Sequence, residues 1–367
     1  MTTVDHLTDA RDAVLAVIEK NAWKGSDPFD GLLTPLARPF IPARQGRISG
    51  TNGAAGLARL AIIQAVKRSW IDLRPWLGIP QQENAMSWAV GTIGAAEAVR
   101  RGDSAAMSAL RFRVSRVLAL QASESGLWGY PFPWQARAFY VGAGDPNLVI
   151  SAIALRALAD VLSAAAGTAF PVKDAPERVL LFDESLKTDI RIAYRKALDG
   201  LFRDFTKPEF PYFSYVADKS VLVHNANFFG VEAVLNARSI GVDVTKAERA
   251  LALEALSTSL RAQQTSGRWT YGDLPHHQWS DCFHTAYNLV SLIRIRRCLL
   301  AAGPECEKVA EAVGVAIQRG SKYYLAHAFT EDWRCRYYDN ETWPLETHSI
   351  AAALVCLSDL ARSGYLE

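Results

Sequence analysis

One pattern returns four times and limits what this chain can fold into. An aromatic pair, one residue apart, is followed nine to seventeen residues later by a polar cluster that opens an apolar helix. The copies are Trp128-Gly129-Tyr130 before Asp145-Pro146-Asn147, Phe213-Ser214-Tyr215 before His224-Asn225-Ala226-Asn227, and Trp269-Thr270-Tyr271 before Ser280-Asp281-Cys282-Phe283-His284. The fourth is looser, with Trp333 and Tyr337-Tyr338 ahead of Glu346-Thr347-His348. The tyrosines fall at irregular intervals, so the unit is a helical hairpin with variable inserts rather than a tight solenoid repeat. A ring of such hairpins carries its loops to one end, where aromatic and polar groups converge on a pocket.

Helical periodicity supports this reading. Amphipathic or buried helices are expected at roughly 7–20, 54–70, 82–100, 104–121, 146–166, 184–204, 224–240, 245–264, 281–301, 304–328 and 347–363. Thr245 is placed to cap the helix that follows it, and Ser280 the helix beginning at Asp281. Gly303-Pro304 separates two long helices as a hairpin turn does. The most irregular connection lies near 167–183 and contains Pro171 and Pro176. No stretch is rich enough in Pro, Gly or Ser to mark a linker. The expectation is therefore an all-α fold, a single (α/α)6 toroid over residues 1–367.

Charge and cysteines exclude some classes. Forty basic residues are interspersed with thirty-eight acidic ones for a net charge of +2, a balance that argues against nucleic acid or a charged membrane surface as partner. Five cysteines without a CxxC spacing fit free thiols in a reducing cytoplasm. The start of the chain lacks a basic region followed by an apolar stretch, so no signal peptide is expected, and the apolar runs read as too short for a membrane span.

The segment Lys24-Gly25-Ser26-Asp27-Pro28-Phe29-Asp30-Gly31-Leu32 supports two readings. In one it is a surface turn in which Asp27 and Asp30 cap backbone amides. In the other it is an active-site loop carrying carboxylates. The segment resembles the W-x-G-Y-D-P-Y/F-D-x-L opening of a bacterial polysaccharide-biosynthesis-associated family with a six-hairpin-glycosidase-like fold, with Ser26 where that pattern has an aromatic. Four further stretches are similar in order: Asp72-Leu73-Arg74-Pro75, Asp145-Pro146-Asn147, His224-Asn225-Ala226-Asn227, and Trp269 through Thr285. Trp343-Pro344-Leu345-Glu346-Thr347-His348 looks like a variant of the family's Y-P-x-D-x-H. The resemblance implies an α/α toroid and a sugar-containing ligand; it implies no particular reaction.

Asp281 and His284 are the leading site candidates. Three residues apart in a first helical turn, they share a face, and a carboxylate beside an imidazole orients it and raises its basicity. The bland alternative is a capping Asp and a satisfied core His. Asp30, Asp145 and Glu346 are further candidate carboxylates, because glycoside hydrolysis needs two across a cleft. Trp128, Tyr130, Trp134, Tyr215, Trp269, Tyr271 and Trp279 are candidate sugar platforms, and Asn147, His224, Asn225, Asn227 and His348 candidate ligands of sugar hydroxyls. Trp70 and Trp88 are expected to be structural.

His276, His277, Cys282 and His284 lie within nine residues, yet match no metal-site spacing. Asp281, Cys282 and His348 invite comparison with zinc-dependent prenyltransferase toroids, but neighbouring Asp281 and Cys282 point apart on a helix. No metal and no cofactor is expected, and nucleotide-binding glycine motifs and terpene-cyclase acidic motifs are absent from the sequence. The functional expectation is a carbohydrate-active enzyme using general acid–base chemistry: hydrolysis, elimination or epimerisation. A non-catalytic glycan-binding or scaffold protein of polysaccharide assembly, and a toroid cyclase or transferase for apolar substrates, are the alternatives.

Overall fold

The computed structural model describes residues 3–42, 53–103, 106–135, 140–167, 183–217 and 219–366. The irregular connection read near 167–183 falls on 168–182, outside the described residues. The chain divides into two compact units, one of residues 1–124 with 128–157, the other of 125–127 with 158–367.

The first unit holds α1 (Thr3–Lys20), α2 (Ala54–Arg68), α3 (Arg74–Leu77), α4 (Ala85–Arg100), α5 (Ala106–Ala119) and the start of α6 (Leu148–Gly167). Two short antiparallel pairs accompany them: β1 (Lys24–Gly25) with β2 (Gln82–Glu83), and β3 (Trp134–Gln135) with β4 (Tyr140–Val141). Helix α4 packs along α5. Trp88 is core, stacked on Trp23 with ring centroids 4.3 Å apart. Trp70, expected to be structural, is instead 94% exposed, because it lies in the turn just past the end of α2.

The second unit holds the rest of α6, then α7 (Glu184–Phe205), α8 (His224–Ala237), α9 (Lys246–Arg261), α10 (Cys282–Ala302), α11 (Glu307–His327) and α12 (Thr347–Arg362). Helix α10 packs against α8, α11 and α12, and α8 against α7 and α9. Every α8 residue from His224 to Val234 is buried. Its polar side chains therefore need partners inside the protein. Thr245 does cap α9, in a full capping box with Glu248. Asp281, not Ser280, caps α10: its carboxylate accepts the backbone N–H of His284 at 2.8 Å, so the helix starts one residue later than expected.

The repeat has a packing explanation. The first aromatics Trp128, Phe213 and Trp269 are almost fully buried. Trp128 donates its indole N–H to Val117 O near the end of α5, and Trp269 does the same to Ser259 O near the end of α9, both at 2.8 Å. The backbone N–H of Trp128 goes to Ser151 Oγ, and that of Phe213 to Asn227 Oδ1, each at the fourth position of the following helix. The first copy thus pins the end of one helix to the start of the next, and the second does the same with Ser214 N on Phe205 O at 2.8 Å. Trp333 breaks the series. It is 70% exposed and adopts a left-handed backbone with φ of 63°.

Gly230 of α8 is required by this packing. A Cβ there would lie 2.4 Å from the Phe213 ring. Gly230→Ala is expected to cost about 1–3 kcal/mol by overpacking, read as a lowered denaturant midpoint with unchanged slope.

One stretch among the described residues is long and apolar enough to cross a membrane. Leu148–Ala165 of α6 has a mean hydropathy of 1.9, and 83% of it is buried inside the protein. The sequence reading passed over it because Arg156 and Asp160 interrupt the apolar run.

Candidate active site

The first turn of α10 is built around one carboxylate. Asp281 caps the helix with Oδ1 and meets His284 Nδ1 with Oδ2 at 2.6 Å. The ionised carboxylate accepts only, so this contact holds His284 in the tautomer with hydrogen on Nδ1 and a lone pair on Nε2. Asp281 is 8% exposed, while the His284 side chain keeps 18% of its surface open.

Aromatic rings enclose the imidazole. Tyr271 and Trp279 stack with centroids 4.4 Å apart and planes 10° from parallel. His284 stands edge-on to both, at 4.6 and 5.6 Å. Tyr338 meets Trp279 at 5.5 Å, and Tyr215 meets Tyr271 at 6.4 Å. On the other side, Phe283 lies 3.7 Å from the His284 ring and stacks on His348 at 4.6 Å. His348 Nε2 is 2.7 Å from the Tyr287 hydroxyl. Packing under these rings lowers the His348 imidazole although its edge remains open to solvent, and Glu346 and Asp281 pull it the other way. Glu346 itself precedes α12 and accepts weakly from Ser349 Oγ at 3.4 Å.

A turn is stapled to this cluster. Asp339 donates its backbone N–H to Ser280 O at 3.0 Å, and its Oδ2 accepts from Arg268 Nε at 2.8 Å and the Tyr323 hydroxyl at 2.6 Å. This holds Tyr338 beside Trp279.

Several sequence candidates serve packing. Trp128 and Trp269 are core residues with no ring face left for a sugar. Asn227 spends its amide inside: Oδ1 on Phe213 N, Nδ2 on Ala255 O and Ser259 Oγ. His224 Nδ1 is 3.0 Å from the same Ser259 hydroxyl. In the first unit, Arg74 Nε sits 3.0 and 2.9 Å from the two oxygens of Asp30, and Nη2 reaches Asp27 O. The DPFDG and DLRP motifs are thus two halves of one clamp. Asp145 Oδ2 accepts from Gly142 N, and Asn147 caps α6 by accepting from Ile150 N at 3.0 Å. Tyr130 lies 6.0 Å from Trp134, which is 8% exposed.

Cys282 turns away from Asp281 toward the Tyr324 hydroxyl, 3.3 Å off, and burial pushes its thiol up to about 12. A thiol held neutral is a poor metal ligand. His277 packs edge-on against Tyr271 at 4.9 Å, and burial, helped by His276, lowers it to about 4. Among the described residues, no group of three or more His, Cys, Asp or Glu side chains is gathered as metal ligands would be.

No protein-family model matches the chain, and no curated protein matches it in sequence. Solved structures do. The cellobiose 2-epimerase from Bacillus thermoamylovorans B4167 superposes with a TM-score of 0.52 at 10% identity, over 84% of this chain and 82% of that one. The fold is the (α/α)6 six-hairpin toroid. Looser matches are a polysaccharide lyase (TM-score 0.43, 12% identity, 77% of this chain and 90% of that one) and a glycosyl hydrolase of family 88 from Bacteroides vulgatus (TM-score 0.41, 10% identity, 77% and 91%). At such identities the likeness is one of fold.

Within the toroid's second unit, sequence reasoning missed Tyr287, Asn288 and Asp339. The first two were within reach: they follow His284 by three and four residues and so share its helix face. Asp339 carries no local signal, since its partners lie 16 to 71 residues away.

Buried His224 gives the fold an acid limit. Burial lowers its imidazole from 6.5 to about 4. Between these values the unfolded chain binds the proton and the folded chain does not. Stability is thus full above pH 6.5 and falls as pH drops toward 4, by roughly 3 kcal/mol in all. His224→Gln is expected to flatten that part of the stability–pH curve, measured by urea unfolding at pH 7 and pH 4.5.

Proposed function

We propose that this protein is a carbohydrate-active enzyme that moves protons on a glycan or sugar conjugate, with His284 as the general base or acid and Asp281 as its orienting carboxylate. The observation that carries this reading is the 2.6 Å Asp281–His284 contact beside the stacked Tyr271–Trp279 pair. A lone pair fixed on Nε2 is the form of the ring that accepts a proton. The aromatic surfaces beside it suit the apolar C–H face of a pyranose. His348, linked to Tyr287, supplies a second imidazole in the same cluster.

Two imidazoles here, with the nearest carboxylate already engaged by His284, favour proton abstraction at a sugar carbon over hydrolysis by two carboxyl groups. Epimerisation and elimination both begin with that step. The cellobiose 2-epimerase of like fold is consistent with this. Free thiols at all five cysteines suit a cytoplasmic role, and the sequence resemblance suggests polysaccharide metabolism as the setting.

The test is incubation in D2O with reducing disaccharides and with uronate-containing oligosaccharides, followed by NMR. Expected is either an epimer carrying deuterium at one carbon or an unsaturated sugar without it, and neither with His284→Ala. New reducing ends with neither carbon-bound deuterium nor an unsaturated sugar would establish hydrolysis instead. Saturable binding without turnover on any sugar would establish a binding protein.

A further inference from the structure

Beneath the dyad, two polar atoms lack any partner in the protein. Asn225 Oδ1, at the second position of α8, and Asn288 Oδ1, near the end of the second turn of α10, are buried and accept no hydrogen bond. Their residues are 5% and 4% exposed. Asn227, two residues from Asn225, meets all its needs within the protein. Capping does not explain Asn225, because the cap position of α8 is Val223 and no side chain serves it. Nor does helix propensity explain Asn288, since asparagine is a poor choice inside a helix. A buried carbonyl oxygen left without a donor costs about 1–3 kcal/mol, and native structures supply that donor from protein or from an ordered water.

The two side chains line one cavity together with Asp281, His284, Ser280 and Thr285. Its volume is about 10 Å3, the room of a single water molecule. Two acceptors on the wall call for a donor in the middle. Water donates two hydrogens and still accepts from a hydroxyl.

We propose that Asn225 and Asn288 hold one internal water against the Asp281–His284 pair, and that this water is a fixed part of the site's hydrogen bonding. Both asparagines then act as positioning residues. They touch no substrate and act through the water on the orientation of His284. The kinetic consequence rests on the function proposed above, but the water itself does not.

A crystal structure of the full chain with ordered solvent tests the site directly. Expected is one peak within hydrogen-bond range of both Oδ1 atoms. An empty cavity, a bound metal cation, or amides turned so that both Oδ1 atoms meet protein donors overturns the proposal. Asn288→Leu removes one acceptor and fills the space. It is expected to displace the water and to change the NMR shifts of the His284 ring nitrogens. Asn225→Leu should do the same, and Asn288→Ser, which keeps an acceptor, serves if the leucine variants do not fold. A folded leucine variant whose His284 ring-nitrogen shifts match the parent's overturns the positioning role. Once a substrate is known, kcat should fall about tenfold with KM little changed. If the water is present but no sugar is turned over, the proposed function fails and the water site stands.

Discussion

Arg294→Met is expected to destabilise the protein by about 3–5 kcal/mol, the range found when one partner of a buried ion pair is removed. Arg294 of α10 places Nη2 2.5 Å from Asp160 Oδ1 of α6 and Nε 2.7 Å from Glu232 Oε1 of α8. The three side chains are 17%, 8% and 3% exposed, so one guanidinium bridges two carboxylates in a nearly dry setting. Those carboxylates raise the Arg294 guanidinium further than burial lowers it. Methionine matches much of the volume but not the charge. The variant therefore keeps two buried carboxylates without their cation. Acid partly relieves that cost, since the stranded carboxyls can take up protons. The gap between parent and variant should narrow between pH 7 and pH 5, and Asp160→Asn with Glu232→Gln should recover much of it. Guanidinium unfolding of the three proteins at both pH values measures this. A loss below about 1 kcal/mol at pH 7 would mean that solvent or other partners neutralise the pair.

Much of this fold was legible because helices announce themselves locally. The expected spans at 184–204 and 281–301 differ from α7 and α10 by a residue at each end or less. Thr245 was readable as a cap because its capping-box partner Glu248 lies three residues on. Ser280 and Asp281 are both good caps, and only the geometry chooses between them. The site was harder to read because the repeated pattern serves two purposes. Trp269 and Tyr271 sit two residues apart, yet Trp269 is held by Ser259 in the core while Tyr271 forms the stack with Trp279. His224, Asn225 and Asn227 share the same ambiguity. What separates them is whether a distant serine, residue 259, reaches their polar atoms. Asp30 reads as a candidate carboxylate because nothing local in the sequence marks its ion-pair partner. Arg74, 44 residues later, turns it into a clamp.

Asp281→Asn is expected to leave the fold intact and to lower turnover about 10²- to 10⁴-fold, the usual share of a positioned acid–base group. The fold survives because asparagine caps a helix as well as aspartate does. Its Oδ1 can keep the 2.8 Å contact with His284 N, and loss of the charge near the helix start costs at most about 1 kcal/mol. The second contact cannot survive unchanged. At the position of Oδ2 the variant carries an NH2 group, which donates. His284 Nδ1 must then accept, and the ring hydrogen moves to Nε2. The imidazole stays in place between Phe283 and Tyr271 but presents a hydrogen where it had presented a lone pair. A base has become a donor without any ring moving. His284→Ala should cost as much, and the double variant little more than either, because the two residues act as one unit. NMR of the His284 ring nitrogens would show the tautomer change without any substrate. If the ring nitrogens show no exchange of tautomer, or the variant keeps full turnover in the D2O assay, Asp281 is a helix cap and nothing more.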